Sequence, residues 1–276
     1  MDNGRMRLGW MVRAVACVVV VVGLAGCGNQ TSNTDSSHES PLQLVRASYG
    51  QTLHSNTARF SMVMNTAGMA MHGTGATQFQ PRALSMSLQA QQLGGAMQMR
   101  MLDKRLYMKL PASAGAPMPA GKSWLMLDLS KASSGPLGQA MSQMTGQSPD
   151  QSLGYLQGLK SVQRDGKATV RGQQATHYRA VIDLKKLMTG SKLMKTAAQR
   201  MEQTLGKSTF VTDVFLDGQG RVVRQQFAIP MTNPSTGAKA TMKMQMDMFD
   251  FGKPVHVAAP PSKQTVDMAK MMSAQG

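Results

Sequence analysis

Short apolar runs with a period of two govern most of this chain. Phe60, Met62 and Met64 alternate with Ser61, Val63 and Asn65, and Leu84, Met86 and Leu88 with Ser85, Ser87 and Gln89. Met97, Met99 and Met101 alternate with Gln98 and Arg100, and Leu106, Met108 and Leu110 with Tyr107 and Lys109. Successive strand side chains point to opposite faces, so each apolar set lines one side of a strand. Gly, Asn, Asp or Pro bounds every run. The pattern predicts an antiparallel meander with one buried face, and it excludes coiled coil and collagen.

The rest of the chain extends that sheet. Trp124 to Asp128 reads as a strand, as do 161–165, 167–172 and 174–182, with Asp165-Gly166 as a hairpin turn. Phe210 to Asp217 and Arg221 to Ile229, the latter carrying Phe227, flank the turn Gly218-Gln219-Gly220. A last strand covers Lys239 to Phe251, with Met242, Met244, Met246 and Met248 on one face. Phe249 and Phe251 fall on the other, so either a bulge intervenes or both faces are covered.

Helical spacing is confined to a few stretches. Ser40 and Pro41 form an N-cap and N1 pair, and Leu42, Val45, Tyr49 and Leu53 give 41–54 one apolar face. Further helices are expected over 136–145, from Ser148-Pro149-Asp150 onward, over 183–205 with a kink at Thr189-Gly190-Ser191, and over 262–272. Gly206 fits a helix stop. Without a linker to divide it, the body from 41 to 276 is expected to be one α+β domain dominated by a large antiparallel sheet.

The N-terminus decides the compartment. Arg5, Arg7 and Arg13 precede an unbroken apolar stretch from Ala14 to Leu24, too short to span a bilayer core of about 30 Å. A basic segment, a short apolar segment and small residues make a secretory signal. It ends in Leu24-Ala25-Gly26-Cys27, which resembles the bacterial lipobox. On that reading residues 1–26 are removed and the Cys27 thiol takes a diacylglyceryl group. Two acyl chains anchor firmly where one is marginal. Cys17 lies in the removed signal, so no disulfide remains. Residues 28–40, GNQTSNTDSSHES, are polar and without periodicity. Together, 27–40 form an anchored, flexible tether reaching roughly 20 Å. The protein is therefore expected at the cell membrane, lipid-anchored on its extracytoplasmic face.

Motifs of catalysis are absent from the sequence. None of His38, His54, His72, His177 and His256 has metal-ligand or His–acid spacing, and no GxSxG, P-loop or GxGxxG occurs. Asp247 and Asp250 read as solvated surface charges. No enzyme activity, cofactor or metal centre is expected.

The formal net charge of +16 is only slightly reduced by loss of the signal, whose three Arg face Asp2. Nucleic acid is excluded as a partner by the compartment. Lys185, Lys186, Lys192 and Lys195 gather on the helix of 183–205, where they make either a solvated outer face or a contact with anionic headgroups.

Methionine is the compositional oddity: 27 Met stand beside 7 Phe, 4 Tyr and 2 Trp. Three readings stay open. Met fills a core; or its thioethers bind Cu(I), since Met-x-Met recurs at Met62/Met64, Met69/Met71 and elsewhere; or an adaptable Met/Leu wall receives acyl chains. The third nominates Met62, Met64, Met86, Leu88, Met97, Met99, Met101, Leu106, Met108, Phe227, Met242, Met244 and Met246 as cavity lining.

Several of these features together resemble the actinobacterial lipid-carrier lipoproteins of the LppX and LprG type. They are the lipobox, the polar tether, Ser40-Pro41, Leu106-Tyr107-Met108-Lys109-Leu110-Pro111, Gly121-Lys122-Ser123-Trp124-Leu125-Met126-Leu127-Asp128-Leu129, and Pro254 to Pro261. The resemblance implies a half-barrel, an architecture shared with LolA-type carriers. Its curved antiparallel sheet would have helices across the concave side and an apolar cavity for a lipid. It implies no catalytic residues. The expectation is a membrane-anchored lipoprotein that binds, and in some settings transfers, an acylated lipid. The alternatives are a Met-rich copper-binding lipoprotein and a structural or signalling lipoprotein with a closed core.

Overall fold

A computed structural model describes residues 39–66, 69–90, 94–111, 113, 118–129, 153–188, 192–232 and 239–273. Helix α1 spans Pro41–His54. Its start carries a capping box: the Ser40 hydroxyl accepts from the Gln43 amide while the Gln43 side chain accepts from the Ser40 amide. Val45, Ser48 and Thr52 are its buried stripe. The two hydroxyls bond back to Val45 O and Ser48 O, and Thr52 Oγ1 also accepts from the Val222 amide at 3.0 Å. A polar stripe in a core face is tolerated because each hydroxyl is satisfied.

Twelve strands form one sheet among the described residues: β1 (Thr57–Thr66), β2 (Met69–Gln78), β3 (Ala83–Ala90), β4 (Gly95–Leu102), β5 (Arg105–Lys109), β6 (Trp124–Asp128), β7 (Leu159–Val170), β8 (Gln173–Asp183), β9 (Thr209–Leu216), β10 (Val222–Thr232), β11 (Lys239–Phe249) and β12 (Thr265–Asp267). The order across the sheet is β12-β6-β5-β4-β3-β2-β1-β11-β10-β9-β8-β7. Every pair is antiparallel except β12 with β6. A 3-10 turn covers Tyr155–Gly158, and α2 (Leu184–Leu187), α3 (Lys192–Leu205) and α4 (Met268–Ser273) complete the elements. The fold is the expected α+β arrangement, a curved and unclosed antiparallel sheet with few helices.

Register turns alternation into continuous apolar rows. One row runs Leu125, Met108, Met99, Met86, Gly75, Phe60, Met248 from β6 to β11. The next runs Met97, Leu88, Gly73, Met62, Met246, Gln225, Val214, Tyr178 from β4 to β8. Most of their apolar side chains belong to one core cluster with Val45 of α1, Leu184 and Leu187 of α2 and Ala198 of α3. This helix-facing side is called the inner face below.

Several sequence expectations are corrected. Strand β2, MAMHGTGATQ, carries no alternation and was not expected as a strand. Gly73 and Gly75 sit where the inner row needs side chains because their neighbours already fill that space. A Cβ on Gly75 would lie 2.6 Å from Phe60 Cζ, and one on Gly73 would lie 3.1 Å from Leu88 Cδ1. The hairpin expected at Asp165-Gly166 is a bulge within β7. The turn itself is Arg171-Gly172, with φ of 50° and 80°, the positive values a two-residue hairpin requires.

The helix expected over 183–205 is two, α2 and α3, with 189–191 outside the described residues. Gly206 does stop α3, at φ 64°. The C-terminal helix expected over 262–272 is a 3-10 turn, then β12, and only then α4. Thr265 and Val266 are β-branched, and the open side of β6 offers them hydrogen-bond partners. The helix over 136–145 lies outside the described residues, and so does the start of the one expected from 148. The described end of the latter is the turn at Tyr155–Gly158.

Among the described residues, the outer face is covered only around the C-terminal end of β11. A second apolar cluster of Val170, Ala175, Phe215 and Val223, with Ala168 and Phe251 against it, occupies the outer face. Phe251 lies beyond the strand end, beneath the Arg221 guanidinium, and Phe249 lies beneath that of Arg171.

Candidate functional site

The two ends of the sheet differ. At one end stand the starts of β1, β3, β8 and β10 and the ends of β2, β7, β9 and β11. Inner-face side chains there and in the middle rows are sealed: Ala58 and Leu106 have no exposure, Phe60 and Met246 have 1%, and Met62 and Met248 have 2%. At the other end stand the starts of β2, β4, β9 and β11 and the ends of β1, β3, β8 and β10. There the burial loosens around β2, β4 and β11, while Leu159, Ile182, Phe210 and Ile229 stay buried. Met64 and Met244 are still buried, Met71, Met97, Met242 and Phe227 are half-buried against the cluster, and Met69 is 48% exposed.

All thirteen cavity candidates from the sequence fall on the inner face. Ten are buried there: Met62, Met64, Met86, Leu88, Met99, Met101, Leu106, Met108, Met244 and Met246. Met97, Phe227 and Met242 form the loosely covered rim with Met71. His72 pairs with Val63 on the outer side, so it does not converge with Met69 and Met71.

Three aromatic rings extend the rim. Tyr155 meets Phe210 edge-on at 5.7 Å, and Phe210 meets Phe227 edge-on at 6.2 Å. Burial raises the pKa of the Tyr155 phenol, because the phenolate would lose its hydration. Met188, Met201 and Leu205 pack half-buried on the same cluster. Sequence reading missed Tyr155, since a single aromatic in a short turn carries no period.

The basic candidates stand at this same end, on the helices that follow β8. Lys185, Lys186 and Lys195 are exposed. Asp183 caps α2 by accepting from the Lys185 amide, and the Lys186 ammonium donates to Leu159 O at 2.8 Å. Lys186 is therefore partly a staple between α2 and β7. Lys192 begins α3, but its side chain, like Cys27, lies outside the described residues.

Charged groups on the outer face are paired more closely than their spacing suggested. Asp247 is buried, contrary to a solvated surface charge. Its carboxylate takes both arms of Arg224, at 2.6 and 2.7 Å, a bidentate pair that raises the Arg224 pKa. His177 stands between Asp165 and Asp213, at 3.2 and 2.9 Å, and stacks on Phe215 at 4.4 Å. Arg179 bridges the same two carboxylates. Only strand register brings these four together, so no local motif announces them.

No protein-family model matches the chain, and no curated protein matches it in sequence. Among solved structures, the chain is similar to the lipoprotein LppX of Mycobacterium tuberculosis. Identity is 15%, coverage is 78% of this chain and 98% of that one, and the TM-score is 0.47. LppX is the namesake of the type the sequence resembles. LprF of Mycobacterium bovis is similar at 11% identity, over 80% of this chain and 97% of that one, with a TM-score of 0.46. An uncharacterized conserved protein of Thermus thermophilus is similar at 9% identity, over 79% and 95%, with a TM-score of 0.35. At such identities the likeness concerns layout alone, and function has to be read from this chain's own residues.

Proposed function

We propose that this chain is a membrane-anchored extracytoplasmic lipoprotein that takes up an acylated lipid between its sheet and helices. Its anchor would be Cys27 after removal of residues 1–26, its tether 28–40 and its lipid-binding domain 41–276. The observation that carries the reading is the one-ended loosening of the inner face. The apolar rows are sealed at one end and, around β2, β4 and β11, half-open at the other, where Met71, Met97, Met242 and Phe227 meet solvent.

Methionine suits such a rim. Its unbranched thioether chain repacks around guests of different shape more readily than a branched side chain does. Each buried CH₂ contributes about 0.8 kcal/mol, so a single long chain is held without a polar anchor. Lys185 and Lys195 at the open end would attract an anionic headgroup or the membrane surface, a role supported by exposure and position. An electrostatic contact of this kind is worth about 1 kcal/mol per cation near an anionic leaflet.

The test is native mass spectrometry of the full-length Cys27→Ser chain, exported and purified without detergent. Co-purifying lipid, displaced by added long-chain fatty acid, is the expected result. A protein recovered only as bare polypeptide, and unable to take up lipid from vesicles, would overturn the proposal. The unaltered chain should partition with membranes and the Cys27→Ser chain should not.

A further inference from the structure

A groove of about 710 Å³ lies on the outer face, a size typical of small-molecule sites. Two adjacent rows across the strands build it. The first is Val63, Gln245, Gln226, Asp213, Arg179, from β1 to β8. The second, next to it, brings Asn65, Lys243 and Ala228 into register, with Val211 of β9 beside them.

Three features of the groove suit a ligand. Val211 is 47% exposed, one of two large apolar side chains so exposed among the described residues. The Lys243 ammonium is exposed and, like several other lysines, has no carboxylate partner among the described residues, so it is free to meet an anion. The side-chain amides of Asn65 and Gln226 face the groove without a hydrogen bond among those residues. By contrast the far wall is fixed: Arg179 and Asp213 are tied to each other and to Asp165 and His177.

We propose that this groove binds a single-chain organic anion, a carboxylate or a phosphate monoester on a linear apolar chain. Lys243 and Asn65 receive the anionic group. The chain then crosses Ala228 and Val211, two strand spacings or about 10 Å away, while Gln226 and Gln245 border it. The occupant is an anion because the unpaired charge on the groove floor is positive and the one carboxylate, Asp213, is already engaged. It is linear because the apolar floor follows one narrow row. The site lies across the sheet from the acyl-binding rim proposed above and stands independently of it.

Methyl-resolved NMR of the full-length Cys27→Ser chain tests this, because the Val63 and Val211 methyls report the groove and the Met71, Met97 and Met242 methyls the inner-face rim. Titration with decanoate should shift the Val63 and Val211 methyls. Lys243→Gln should weaken that response about tenfold, the loss of one charge-assisted contact. Val211→Asp should abolish the response at Val63, with an unchanged circular dichroism spectrum showing that the fold persists. Decanol, which lacks the charge, should bind more weakly than decanoate. Decyl phosphate in a parallel titration distinguishes a phosphate-bearing ligand from a carboxylate. Val63 and Val211 methyls that stay still with both anions, or a Lys243→Gln chain that responds like the unaltered one, would overturn the proposal. Shifts confined to Met71, Met97 and Met242 would overturn it too, while supporting the inner-face reading. Still methionine methyls beside moving valines would have the reverse meaning.

Discussion

The two ends of this sheet are built from the same residue types yet do opposite things. At the sealed end, apolar rows are closed by short turns and by charge. Asp217 accepts from the amides of Gln219 and Arg221 and from the Arg221 guanidinium, and Arg171 and Arg221 cover Phe249 and Phe251. At the open end, methionines of the same rows lose cover, and Lys185 and Lys195 on α2 and α3 stand exposed beside them. The difference teaches that methionine content alone does not mark a ligand site. Position along the strand decides whether a Met is core or rim.

Substitution can break that comparison. The largest effect is expected at the sealed end: Phe60→Ala should cost about 3–5 kcal/mol, read as a fall in denaturation midpoint, because a buried ring leaves a cavity. Asp247→Ala should follow at about 3 kcal/mol, since it strands the Arg224 charge against Phe215. At the open end, Met97→Ala and Met242→Ala should each cost below about 1 kcal/mol in stability, but should together weaken uptake of a fluorescent fatty acid about tenfold. If these two destabilise as strongly as Phe60→Ala, the rim is core and the comparison fails.

The smallest effect is electrostatic. Lys253, by hydrogen bond first and then by charge with Arg59, holds the Asp250 carboxyl below its ordinary range. A depressed carboxyl contributes stability that is fully present above its unfolded pKa and is lost as pH falls through the folded one. Lys253→Ala should therefore move the Asp250 titration seen by NMR upward, toward the usual value of about 4, with little change in stability at neutral pH.

How much of this was legible in the sequence follows from what each feature depends on. Period-two runs revealed β1, β3, β4, β5 and β11 and the face on which their Met and Leu lie, because alternation is local. Strand β2 was hidden because Gly73 and Gly75 yield their volume to Phe60, Met62 and Leu88 on neighbouring strands, a demand set by register. Asp165, His177 and Asp213 escaped notice for the same reason, being adjacent only across β7, β8 and β9. The half-open state of Met97 and Met242 was illegible too, since burial at a strand end depends on which helix covers it.

The central pairing of β1 with β11 has a kinetic consequence. Phe60 lies opposite Met248, so the middle of the sheet joins segments separated by nearly the whole domain. Long loops must close before those contacts stabilise anything, and chains of such high contact order fold slowly. Hairpins β2-β3, β4-β5 and β7-β8 can form early, but the row that unites them waits for β11. A chain exported through a membrane would therefore emerge with its methionine faces uncovered for some time, close to the very lipids those faces are proposed to bind.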